Sequence, residues 1–192
     1  MQRIVAGRLR GRKLLPLPGA APVRPTGAKV REAIFSRLFD QVRGARVLDL
    51  FAGSGALGFE AISRGAAAAT LVDRDPAVIR HLRAQAGVFG VEAEVTLVNA
   101  DALAFLGKAA AGGRFDLVFV DPPYAEVELL ARVLTALADE RWLAAEAVIV
   151  VERARGRQGS AALSLPTGLR AEQSRDYGQT SVDFLRAAPP SR

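Results

Sequence analysis

Five short apolar runs, each separated from the next by a helical pattern, constrain this chain more than any other feature. The runs are RVLDL (46–50), ATLVD (69–73), EVTLV (94–98), FDLVFVD (115–121) and AVIVVE (147–152). Between them, apolar residues recur at helical spacing from Ala56 to Ser63, Pro76 to Val88, Ala102 to Ala109 and Glu126 to Ala138. Strands that are apolar almost throughout must be covered on both faces, and intervening helices do this, so the pattern predicts an α/β domain around a parallel sheet. Pro76 suits a first helical turn and Gly90 the exit from that helix. The tail SLPTGLRAEQSRDYGQTSVDFLRA leaves no room for a helix and predicts two more strands around a turn at Tyr177-Gly178. The expected sheet therefore has seven strands, mainly parallel with one antiparallel, and 192 residues suffice for one full core.

The first run continues into VLDLFAGSGALGFEA, which contains the spacing G-x-G-x-x-G at Gly53, Gly55 and Gly58. That spacing, between a strand and a helix, is the mark of a nucleotide cofactor loop, and an acid for the ribose belongs about twenty residues on, where Asp73 stands. A pyrophosphate would sit on the loop and the helix N-terminus. Asp49, four residues before Gly53, is badly placed for that ligand, because two anions in a partly dry site repel. S-adenosylmethionine fits better: it has no phosphate and carries an ammonium, a sulfonium and one carboxylate. In this reading Asp49 pairs with the cationic part, Asp73 binds the ribose hydroxyls, and Asp101 in VNADA meets the adenine amino group. All three acids fall at carboxyl ends of predicted strands, where open α/β sheets bind ligands.

The fourth run ends in Asp121-Pro122-Pro123-Tyr124. Two prolines stiffen the turn and remove two backbone donors. The Asp121 carboxylate and the Pro122 carbonyl are then both available to accept from one planar –NH₂, with Tyr124 as a face for base stacking. Such a site suits a conjugated, weakly nucleophilic amine. Positioning that amine in line with a sulfonium methyl group supplies the rate enhancement, with no metal and no covalent nucleophile required.

Charge is segregated along the chain. Residues 1–46 hold eleven Lys and Arg against two acids, net +9, whereas the rest hold fifteen against eighteen, net −3. Arg3, Arg8, Arg10, Arg12, Lys13, Arg24 and Arg31 supply much of this excess, and a segregated basic segment points to a polyanionic partner. RIVAGRLRGRKLL (3–15) predicts a short ribbon, PLPGAAPVRP an extended link, and KVREAIFSRLF a helix capped by Thr26. With no cysteine there are no disulfides or thiolate sites, and with no apolar leader-like run near the N-terminus the expectation is a cytoplasmic protein, for which a monomer suffices.

Together, DLFAGSGALG, LVDRDP, VNADA and DPPY resemble the class I S-adenosylmethionine-dependent amino-methyltransferases. RIVAGRLRGRKL, RPTGAKVREAIFSRL and DYGQTSVDF narrow the resemblance, end to end, to the bacterial small-subunit ribosomal RNA guanine-N2 methyltransferase family. The resemblance implies a Rossmann-like domain over 46–188 behind a basic ribbon-and-helix extension over 1–45, and methylation of one guanine in 16S ribosomal RNA, free or in the 30S particle. It implies cofactor contacts at Asp49, Ala52, Gly53, Ser54, Gly55, Asp73, Asp101 and Ala102, the target amine at Asp121, Pro122 and Tyr124, and Arg24 and Thr26 near the RNA entrance. The family often has Glu where Asp73 stands, and Asp75 is a second acid that could serve the ribose. Tyr177 and Gly178 match a C-terminal family element.

Other readings fit less well. A DNA N6-adenine or N4-cytosine methylase needs a recognition domain for which the chain has no room. A glutamine amide methylase prefers Asn at position 121, a nicotinamide oxidoreductase conflicts with Asp49, and a non-catalytic RNA-binding module has no use for Asp121. His81, the sole histidine, is expected at the surface, Trp142 in packing, and Phe35 and Phe39 between the first helix and the sheet. Glu152 ends the fifth run close to the cleft, where exposure alone would account for it.

Overall fold

The structure, a computed structural model, describes residues 2–17, 27–108, 113–123, 127–139, 141–155 and 163–188. Seven strands form one sheet: β1 (Arg46–Asp49), β2 (Ala68–Asp73), β3 (Val95–Asn99), β4 (Phe115–Val120), β5 (Leu143–Ala154), β6 (Leu169–Tyr177) and β7 (Thr180–Ala187). Their spatial order is β3-β2-β1-β4-β5-β7-β6. The first five are mutually parallel, and β7 runs antiparallel to both β5 and β6. The tail forms the two antiparallel strands its pattern predicted, with β7 inserted between β5 and β6, and the turn falls at Gly178, whose φ of 62° a glycine adopts without strain. β5 starts four residues earlier than its apolar run, and its register with β4 is broken between Phe115 and Leu117, near Glu146 with φ 60°. A bulge there adds residues that alternation alone does not reveal.

Helices α1 (Ala28–Leu38), α2 (Ala56–Ser63) and α3 (Pro76–Phe89) cover one face, α4 (Ala102–Leu106) and α5 (Val127–Leu137) the other. Phe35, Phe59, Phe119 and Phe184 fill the first interface; Leu134, Leu137 and Trp142 lie in the second. Trp142 is a packing residue as expected, its indole N–H donating to the Leu106 carbonyl at 3.1 Å. α3 begins on Asp75, whose side chain accepts from Ala77 N at 2.7 Å, followed by Pro76, and ends on Gly90 at φ 67°. α1 starts after Gly27, and the cap expected of Thr26 lies outside the described residues.

His81 and Phe39 depart from expectation. His81 is buried at 6% exposure, because α3 turns Val78, His81, Leu82 and Gln85 inward together, and burial lowers its pKa so that the imidazole is held neutral. Phe39 is 76% exposed: the helix stops at Leu38 and the backbone swings to φ 30°, carrying the ring off the sheet.

The basic ribbon is not a free arm. Arg3 and Lys13 pair across it, and Ile4, Leu9 and Leu14 are buried in the same core as α1–α3. Glu60 of α2, wholly buried, accepts from Val5 N at 2.7 Å, Ala6 N at 3.0 Å and Arg64 Nε at 2.8 Å. Ser63 donates to the Ala6 carbonyl and accepts from Leu9 N. Gly7 completes the seat, since a Cβ there would lie 1.9 Å from the Ser63 carbonyl oxygen. Glu60→Ala strands two part-buried N–H groups and the Arg64 guanidinium, so urea unfolding should show a loss of about 3 kcal/mol. A loss below about 1 kcal/mol would mean that the ribbon is held by its apolar side chains alone.

Candidate active site

The sheet order reverses between β1 and β4, which are paired side by side with Asp49 opposite Phe119. This is the switch point at which an open α/β sheet leaves a crevice beyond its strand ends. The glycine loop leaves β1 there and the Asp121-Pro122-Pro123 turn leaves β4 there. In spatial order, the carboxyl ends of β3, β2, β1, β4 and β5 carry Asp101, Asp73, Asp49, Asp121 and Glu152.

Asp73 secures the loop: one carboxylate oxygen accepts from Gly53 N at 3.0 Å, the other from Asp75 N at 2.9 Å. Ala52 N donates to the Val72 carbonyl at 3.0 Å, and Gly55 N to the Ala52 carbonyl at 2.7 Å. Gly55 has φ 75° and packs so closely that a Cβ would lie 2.5 Å from the Phe59 ring; at Gly58 a Cβ would lie 2.2 Å from a Leu71 methyl. The glycines therefore serve helix–sheet packing as much as ligand approach. Ser54 Oγ donates to Gln2 Oε1 at 2.9 Å, bringing the ribbon onto the loop. Asp101 caps α4, accepting from Leu103 N at 2.9 Å and Ala104 N at 3.2 Å, with Ala102 as the first, buried residue of that helix. Asp75, the alternative ribose acid, is engaged as the cap of α3.

Asp49 is the most perturbed group. It is 1% exposed, and burial first, then the charge of Asp121, pushes its pKa up to about 7, against smaller opposing contributions from the backbone N–H groups of Phe51 and Gly58. Its Oδ1 has no hydrogen-bond partner among the described residues. A buried carboxylate oxygen left without a donor fits a cationic ligand group, so Asp49, the loop and Asp73 fit the ammonium and ribose of S-adenosylmethionine. Asp121 is half-buried and Pro122 buried beside it. Tyr124, Arg24 and Thr26 lie outside the described residues.

The basic residues divide. Arg3, Arg8, Arg10, Arg12 and Lys13 are exposed. Arg8 is nonetheless paired with Glu94, and Arg12 donates to the Val88 and Phe89 carbonyls at the end of α3, its guanidinium 5.0 Å above the Phe89 ring. Arg31, expected to face RNA, is instead 1% exposed: α1 turns it inward, where Nη2 donates to the Arg3 carbonyl at 2.8 Å. Glu152, for which exposure was a sufficient account, is also 1% exposed. Sequence reasoning missed Glu60 and Ser63 as the seat of the ribbon. A Glu and a Ser on a helix otherwise apolar were the available signal.

A doubly wound sheet with one reversed strand, β7, next to its edge, carrying a glycine loop and acids at its switch point, defines the Rossmann-like fold of class I methyltransferases. Residues 2–186 match the family described as conserved hypothetical protein 95. The ribosomal RNA small subunit methyltransferase D of Escherichia coli K12 is 45% identical over 150 residues, covering 78% of this chain and 73% of that protein. The protein of the same name from Haemophilus influenzae is 38% identical over 151 residues, covering 78% and 77%. The solved structure of a putative methyltransferase, yhhF, from Escherichia coli superposes with a TM-score of 0.84 at 37% identity, over 97% of both chains. The chain belongs to the family of these small-subunit ribosomal RNA methyltransferases.

Proposed function

We propose that this protein transfers a methyl group from S-adenosylmethionine to the exocyclic N2 amine of a guanine in 16S ribosomal RNA, in the 30S particle or its precursor. The observation that carries the reading is the approach of Asp121 to Asp49 where the neighbouring strands β4 and β1 end: a buried acid suited to a cation near a rigid turn suited to an amine. Membership of a family with named ribosomal RNA methyltransferases supports the nucleic acid as substrate.

The cofactor supplies an electrophilic sulfonium methyl group. The chain does the rest. Asp121 and the Pro122 carbonyl accept the two N–H bonds of the amine and turn its lone pair toward that methyl. The Asp121 carboxylate would then take the proton that the methylated nitrogen sheds and pass it to solvent. Pro122 and Pro123 offer no backbone N–H to compete for the amine's acceptors. Tyr124 remains the proposed stacking face.

The reading is tested by incubating the protein and labelled cofactor with naked 16S RNA, 30S particles or duplex DNA. Label on N2 of one guanine of 16S RNA is the expected result; label on DNA alone overturns it. The ribbon is the proposed RNA-contacting surface, and Arg10 and Lys13 are exposed on it. Neutralising both should lower the slope of log K against log salt by about 1.5, and an unchanged slope would move the RNA surface elsewhere.

A further inference from the structure

Glu152 occupies a position that a surface role does not explain. Along β5, Val148 and Val150 lie in the core that contains Phe119, whereas Ile149 and Val151 lie in the core of the opposite face. Alternation therefore turns Glu152 to the α1 face, opposite Val182 of β7. β4 runs parallel to β5 with Val120 paired to Val151, so Asp121 leaves β4 one residue beyond that pair, next to the strand that carries Glu152. Asp49 and Val47 of β1 share that face, and the Asp121 charge acts on Asp49. Three carboxylates thus cluster on this face where β1, β4 and β5 end, Asp49 two residues short of the level of the other two. On the same face, Asp49 Oδ1 is buried with no hydrogen-bond partner among the described residues. Arg31 approaches from α1; burial lowers its pKa, while the charges of Glu60 and Glu152 oppose that.

We propose that Glu152 is the residue that selects guanine, accepting the ring N1–H while Asp121 and the Pro122 carbonyl hold the 2-amine. The inference rests on the reading of Asp121 as the amine acceptor. Guanine alone among the four bases presents a ring N–H next to its exocyclic amine. Two carboxylates on adjacent strands, each an acceptor only, match that pair of donors. Adenine and cytosine carry a ring lone pair beside the amine, and either would set it against a buried carboxylate. A site built to accept a particular N–H rejects the analogue lacking it far more strongly than an apolar pocket rejects a misfit. Arg31 is then a positioning residue: its charge interacts with Glu152, and its Nη2 donates to the Arg3 carbonyl of the ribbon.

The test compares guanine with 2-aminopurine at the methylated position of reconstituted small-subunit particles. The two share the 2-amine, but 2-aminopurine has a lone pair where guanine has N1–H. The wild-type protein should prefer guanine by about 100-fold or more in single-turnover rate. Glu152→Gln exchanges one carboxylate oxygen for an –NH₂ that can donate to the 2-aminopurine lone pair, so its preference should collapse to within about tenfold, with 2-aminopurine turnover rising. Equal losses on both bases would show that Glu152 serves only as a counter-ion for Arg31, and would overturn the proposal. Should the variant fail to fold, the wild-type comparison still decides, because equal wild-type rates on the two bases also overturn it. Wild-type label on adenine or cytosine would sink the guanine reading itself along with the role of Glu152. Transfer by Asp121→Ala at the wild-type rate would instead remove the amine acceptor on which that role depends.

Discussion

Asp121→Ala should lower the rate of methyl transfer by about 100- to 1000-fold while leaving the affinity for S-adenosylmethionine within about threefold. The separation follows from where the residue sits. Asp121 leaves β4, on the opposite side of the switch point from the glycine loop and Asp73, so its removal takes an acceptor from the amine and none from the ribose or the loop. Removal also relieves Asp49 of a neighbouring negative charge, which should bring the Asp49 pKa down from about 7. Calorimetry of cofactor binding and single-turnover transfer on 30S particles read the two effects independently. A variant that transfers at the wild-type rate would mean that the amine is held by backbone alone.

Asp49 governs the second large effect, which is one of pH. Its pKa in the folded protein is about 7 against an ordinary value of 3.8, because burial and then the Asp121 charge disfavour the carboxylate. The folded chain therefore binds a proton that the unfolded chain has lost, and the stability from this group is present below about pH 4 and lost as pH rises toward about 7. A cation beside Asp49 reverses the preference, so cofactor binding should release up to one proton below about pH 7. Affinity should then rise by up to about tenfold per pH unit until it levels near neutrality. Asp49→Asn should weaken binding by about 10- to 100-fold above that pH and abolish the proton release. Calorimetry in two buffers of different ionisation enthalpy measures the released proton directly. A wild-type affinity that is flat from about pH 5.5 to 7.5 would remove Asp49 from the ammonium site.

Much of the fold was legible because its signals are local. α2 spans Ala56–Ser63 as its apolar spacing predicts, α3 carries the expected Pro76 and Gly90, and the β6–β7 turn falls at Gly178. Each depends on backbone preferences and on which side chains must leave water, and both act within a few residues. Side chains whose environment is built by distant segments were not legible in this way. Arg31 has the look of a cationic surface residue, but the ribbon's Arg3 carbonyl and Glu60 of α2 make a buried place for it. Arg12, in the middle of the basic segment, caps a helix more than seventy residues away. Phe39 went the other way, because helix termination is a backbone event that apolar spacing does not register.

What the sequence determined by itself was the set of chemical groups: a glycine loop behind an acid, acids at successive strand ends, a rigid Asp-Pro-Pro turn and a basic N-terminal segment. Their mutual arrangement was decided only by the tertiary structure. β1 and β4 are adjacent because the chain reverses direction across the sheet after β3, and that reversal alone brings the charge of Asp121 to bear on Asp49. β5 joins next to β4 in parallel register, which makes Glu152 a member of the same row although thirty-one residues of chain separate it from Asp121. Strand order is set by packing and by the geometry of crossover connections between distant segments. No local pattern encodes it, so the residue types were readable while the neighbourhood in which carboxylates meet was not.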